Sequence, residues 1–125
     1  MLLQLTFFLA SLATLAVVHI GATKFFLYWK YLWLDIPVHV LGGICVALGV
    51  SVLPFFHLYL FERFRSPIVY ALIAFSVGVL WEVFEFFSGI TLMDDTFIPD
   101  TTLDLLMDIF GGLLGYSIVR VLKKL

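Results

Sequence analysis

Four apolar blocks, each about as long as a bilayer's hydrocarbon core requires of a helix, take up most of this chain and constrain its fold more than anything else in it. They run over residues 1–22, 37–61, 67–88 and 101–121. In hydrocarbon every backbone N–H and C=O must be bonded internally, so each block is predicted to be a helix. The connections TKFFLYWKYLWLDI, ERFRS and GITLMDDTFIPD are short, and no linker, low-complexity run or internal repeat divides the chain. The expected fold is all-α: a polytopic integral membrane protein, a single four-transmembrane-helix bundle over residues 1–125. Charged residues make up only 13% of the chain, where a soluble domain carries about 25%. The first block lacks a basic n-region and a clean small-x-small cleavage site, so it is read as a spanning helix rather than a signal peptide.

Lysine and arginine in the short loops set the expected orientation. Arg63 and Arg65 lie in the second loop and Arg120, Lys123 and Lys124 in the tail, against Lys24 and Lys30 in the first loop. Five against two places both termini in the cytoplasm of a multi-pass protein of the inner or plasma membrane. YWKYLW at 28–33 has the aromatic and basic character of a membrane-interface segment. The lipid bilayer is the expected partner. A net charge of −2 gives no reason to expect nucleic acid. Cys45 is the only cysteine, so it has no disulfide partner within the chain and is read as a packing residue.

Depth then becomes informative. His19 lies towards the end of the first block, and Asp35 and His39 open the second. Glu82 and Glu85 close the third, and Asp104 and Asp108 open the fourth. Helix order alone brings all seven to one side, the outer leaflet in the expected orientation. An ionisable group at membrane depth costs several kcal/mol unless it is paired, and marks a functional site by default.

Asp35 and His39 are four residues apart, on one face of a helix start. Asp35 precedes Pro37 and also suits an N-cap, and the two roles are compatible. Glu82 and Glu85 share a face at i, i+3, among Trp81, Phe84, Phe86 and Phe87, where the helix dipole disfavours negative charge. Asp100, Asp104 and Asp108 recur every fourth residue; Asp100 suits a cap, and Thr101 with Asp104 fits a capping-box spacing. Asp108 has no such structural excuse. Gly111 and Gly115 continue the face of Asp104 and Asp108, Gly42 and Gly43 follow His39, and Gly78 precedes Glu82 by a turn. Small residues let helices approach closely, so the acidic faces are expected to point into the bundle. His19 is the weakest member, His57 lies at the opposite end with no assigned function, and Asp94 and Asp95 are expected to be solvated.

Five carboxylates in a small, partly dry volume cannot all be ionised, so either divalent cations neutralise them or some stay protonated. Carboxylate oxygens with an imidazole suit a divalent metal such as Mg²⁺, Mn²⁺, Zn²⁺ or Fe²⁺. The candidate ligands are Asp35, His39, Glu82, Glu85, Asp104 and Asp108, with Glu82 and Asp108 as candidate catalytic residues. The Glu-x-x-His signature of soluble di-iron bundles is missing, so oxygen chemistry is not expected.

The patterns D-x-x-x-H-x-x-G-G, W-E-x-x-E and D-x-x-x-D-x-x-x-D-x-x-G-G-x-x-G resemble those of the YjdF-like bacterial inner-membrane proteins and, more distantly, the VanZ-like family linked to teicoplanin resistance. The resemblance covers roughly Asp35 to Tyr116. It implies Asp35, His39, Glu82, Glu85, Asp100, Asp104 and Asp108 as the family's polar signature. Ile36 stands where those families usually have a basic residue, and Asp108 where VanZ-like proteins usually have asparagine. Both departures make this chain more acidic.

Three functions fit these observations. The first is a metal-dependent membrane enzyme or resistance factor acting on a lipid-linked or envelope substrate, with metal-activated water as its chemistry. The second is a proton- or cation-coupled transporter or channel subunit, which with four helices would require a homo-oligomer. The third is an accessory membrane subunit whose acids pair with a partner's basic residues.

Overall fold

The computed structural model describes residues 1–59, 66–89 and 96–125, and among these there is no strand. Four helices long and apolar enough to cross a membrane cover Leu2–Lys24, Leu32–Phe56, Pro67–Ser88 and Phe97–Leu122. The α-helical elements are α1 (Leu2–Lys24), the single turn α2 (Leu27–Lys30), α3 (Asp35–Val52), α4 (Pro67–Ser88) and α5 (Phe97–Leu122).

The ends of these helices follow local chemistry. The second block was expected to run to residue 61, but α3 stops at Val52 and passes into a 3₁₀ turn, Leu53–Phe56. Pro54 lacks an N–H and crowds the preceding turn, so the α-helix cannot continue through it. His57 then takes a left-handed conformation at φ 60°. Ser66 caps α4 by accepting from the Val69 N–H at 3.3 Å, Pro67 occupies the first helical position, and Gly89 closes the helix at φ 70°. α5 begins at Phe97, four residues earlier than the expected 101, because Pro99 falls in its first turn, where proline is tolerated. The expected interfacial segment is α2 followed by a 3₁₀ turn, Leu32–Leu34, with Trp29 and Trp33 both more than 60% exposed. Arg63, Arg65, Asp94 and Asp95 lie outside the described residues.

α3 and α5 make the most extensive contact, followed by α4 with α5 and α1 with α3, while α1 and α4 hardly touch. α5 explains why. Its buried residues are Asp104, Asp108, Gly111, Gly112, Gly115, Val119 and Leu122, a single stripe at helical spacing. A Cβ on Gly43 would collide with the Asp108 carbonyl oxygen, and one on Gly111 with the Val40 carbonyl oxygen, so the α3 and α5 backbones pack against each other directly. Ala47, Leu48, Tyr70, Val119 and Leu122 fill the end of the bundle away from the acids. Outward faces carry Leu72, Leu80, Val17 and Ile20, each more than half exposed, as lipid contact requires.

Candidate metal centre

The acid-bearing ends of α3, α4 and α5 meet around one imidazole. His39 is 5% exposed, and its two ring nitrogens face different groups. Nδ1 lies 3.2 Å from Asp108 Oδ2. Nε2 faces Asp35 Oδ1 at 3.6 Å, Glu82 Oε1 at 3.9 Å and Asp104 Oδ1 at 3.9 Å. In the tautomer whose Nδ1–H donates to the Asp108 carboxylate, Nε2 carries a lone pair on the side of those three carboxylate oxygens. That pattern, a carboxylate behind the imidazole and open donors in front, is how proteins orient a metal-binding histidine.

Distances fit the pattern. Two donors each about 2.1 Å from one ion lie at most about 4.2 Å apart, and His39 Nε2 meets that limit with all three acids. One donor atom each from Asp35, His39 and Asp104 lies within 4.8 Å of the other two. Glu82 Oε2 accepts from Thr101 Oγ1 at 3.0 Å, whereas Oε1 is buried with no hydrogen-bond partner among the described residues. A buried carboxylate oxygen without a donor is costly, and a cation removes that cost. Charge points the same way. Four carboxylates surround one imidazole, so either a cation offsets their charge or some of them hold a proton.

The expected site residues therefore divide. Asp35, His39, Glu82, Asp104 and Asp108 come together; Asp108 sits behind the imidazole rather than in front of it. Glu85 turns instead to Trp81, whose Nε1–H donates to Oε1 at 3.0 Å. Asp35 is the first residue of α3 and makes no capping bond; Leu34 holds the cap position, and the carboxylate is directed at His39. Thr101 and Asp104 do not form a capping box, because α5 starts four residues before Thr101. Thr101 instead bonds Glu82, a role its place on the Asp104–Asp108 face allowed but its capping pattern obscured. Gly78 leaves room for the Asp108 carboxylate, since a Cβ there would collide with Asp108 Oδ2. Asp100 is exposed in the first turn of α5.

His19 stands apart from the cluster. Its Nδ1 lies 2.9 Å from the Tyr28 hydroxyl, and its ring meets Trp81 edge-on at 5.1 Å between centroids. Partial burial, with Asp35 and Glu85 nearby, pushes the Tyr28 phenol above its usual range, so it stays a neutral hydroxyl.

A family model described as "Predicted membrane protein (DUF2238)" matches residues 2–124. No curated protein and no solved structure matches the chain.

Proposed function

The chain belongs to this DUF2238 family of membrane proteins, the YjdF-like family, and from that premise we propose that it holds one divalent cation at the His39 cluster. His39 Nε2, Asp35 and Asp104 supply the donors, Glu82 Oε1 completes the set, and Asp108 orients the imidazole from behind. What supports this reading is the division of His39: Nδ1 lies against the Asp108 carboxylate, and Nε2 faces oxygens of Asp35, Glu82 and Asp104 at 3.6–3.9 Å, with Asp35, His39 and Asp104 grouped within 4.8 Å of one another. Mixed oxygen and imidazole donors suit Mn²⁺, Zn²⁺, Fe²⁺ or Mg²⁺. Such an ion supplies a Lewis acid at the lipid interface, which favours a metal-dependent enzyme or resistance factor acting on a lipid-linked or envelope substrate. The envelope part leans on the VanZ-like spacing of the polar residues. Both termini are proposed to lie in the cytoplasm of the inner membrane, with the cluster in the outer leaflet, from the five-to-two loop count.

The other readings are less well supported. A transporter needs the polar path to continue, whereas Ala47, Leu48, Tyr70, Val119 and Leu122 form an apolar layer beyond the cluster. An accessory subunit needs its acids at the surface, but Glu82, Asp104 and Asp108 are each 8% exposed or less.

Elemental analysis of detergent-purified protein tests the proposal. The wild type is expected to carry one divalent metal per chain, lost in Asp104→Asn and His39→Gln while helical circular dichroism persists. Metal-free wild type after incubation with Mn²⁺, Zn²⁺, Fe²⁺ and Mg²⁺ would contradict it.

A further inference from the structure

A cavity of about 620 Å³ lies between α1, α3 and α4, and His39 and Asp108 form part of its wall. Its sides are almost entirely apolar. From α1 it is lined by Phe8, Leu12, Leu15, Ala16 and His19, one face of the helix, and from α3 and the turn that follows it by residues between Val38 and Leu53. At 1.5 Å per residue those spans are roughly 16 and 22 Å long. One leaflet of the hydrocarbon core is about 15 Å deep, so the slot is as long as one lipid chain in its leaflet.

Three features fix what enters it. α1 and α4 hardly touch, so the slot's wall is parted between two helices long and apolar enough to cross a membrane. In a bilayer, a gap between two such helices meets hydrocarbon rather than water. His19 and Trp81 join α1 to α4 at the end near His39 and line the slot there, so its polar groups are gathered at one end. The opposite end, at Phe8 and Leu53, is apolar.

We propose that the slot takes one hydrocarbon chain of an outer-leaflet phospholipid, which enters between α1 and α4; Asp35, Glu82 and Asp104 do not line the slot, so its phosphate meets the cation held at His39 beyond the His19–Trp81 end. The head-group part rests on the cation reading above, since four carboxylates without a cation would repel a phosphate. The chain part rests on the cavity alone. The lipid's tail end lies by Phe8 and Leu53, and its head-group linkage is level with His19 and Trp81.

The test uses the protein in detergent, loaded with Mn²⁺, and a lysophosphatidic acid analogue carrying a diazirine near the end of its chain. After irradiation, cross-links are mapped by mass spectrometry. Labelling is expected at Phe8, Leu12 and Leu53, displaced by unlabelled lysophosphatidic acid, and reduced about tenfold or more in Ala16→Trp with metal content unchanged. Gly49→Leu is a second filling variant, because a Cβ there already meets the Phe8 ring at 3.2 Å. Labelling spread evenly over the lipid-facing residues Val17, Leu72 and Leu80, in a wild-type map that needs no variant, would overturn the slot. Equal slot labelling by a monoacylglycerol analogue, or full labelling in metal-free Asp104→Asn, would overturn the phosphate–cation contact and leave the cation reading intact. Absence of metal from the wild type strikes the cation reading instead, while the map still reports on the slot.

Discussion

His39 and Asp108 have different jobs although they touch, and substitution should separate them. His39→Gln removes a donor and is expected to abolish binding of Mn²⁺. Asp108→Asn keeps a hydrogen-bonding side chain of the same shape but removes the charge behind the imidazole, so affinity should fall about 10–100-fold without loss of the site. Titration calorimetry with Mn²⁺ distinguishes the two; equal losses would mean that Asp108 is itself a ligand. Glu82 gives a prediction whose sign reverses. In metal-free protein its Oε1 is a buried oxygen without a donor among the described residues, so Glu82→Gln should raise thermal stability after chelation, by about 1–3 kcal/mol. With Mn²⁺ bound, the same substitution should lower stability by removing a donor. A loss under both conditions would show that Glu82 is structural.

At the level of the helices, the cluster is held by backbone proximity more than by side-chain packing. Gly42 and Gly43 are neighbours with opposite surroundings: a Cβ on Gly42 meets only Asp108 Oδ1 at 3.7 Å, while one on Gly43 collides with the α5 backbone. Gly43→Ala is expected to cost about 1–3 kcal/mol by forcing α3 from α5, and Gly42→Ala close to nothing. Thermal unfolding of the two variants checks this, and similar costs would contradict the close approach. Gly78→Ala should act differently again, displacing the Asp108 carboxylate and weakening metal binding much as Asp108→Asn does, with helix content retained. The helices themselves were legible in the sequence, because bilayer thickness and backbone satisfaction allow few alternatives. Their ends were less so. Pro54 and Pro99 act in opposite ways, one ending α3 and the other sitting inside the first turn of α5, and only the surrounding backbone decides which.

Across the whole molecule, helix order was enough to bring the acids to one end, because alternating direction leaves them no other place. What spacing could not reveal was the rotation of each helix about its axis. That rotation sends Glu82 to His39 and Glu85 to Trp81, although both lie on one helical face. It also places Asp108 behind the imidazole and Asp35, Glu82 and Asp104 before it. The cavity escaped for the same reason: Phe8, Leu12, Ala16 and His19 read as an ordinary apolar face, and only the separation of α1 from α4 turns that face into a wall. If one imidazole, His39, and a set of carboxylates hold one ion, pulsed electron paramagnetic resonance of the Mn²⁺-loaded protein reads it at the ion itself: coupling is expected to a single directly bound nitrogen, absent in His39→Gln and retained in His19→Gln. A spectrum without nitrogen coupling in the wild type, or one that His39→Gln leaves unchanged, would contradict it.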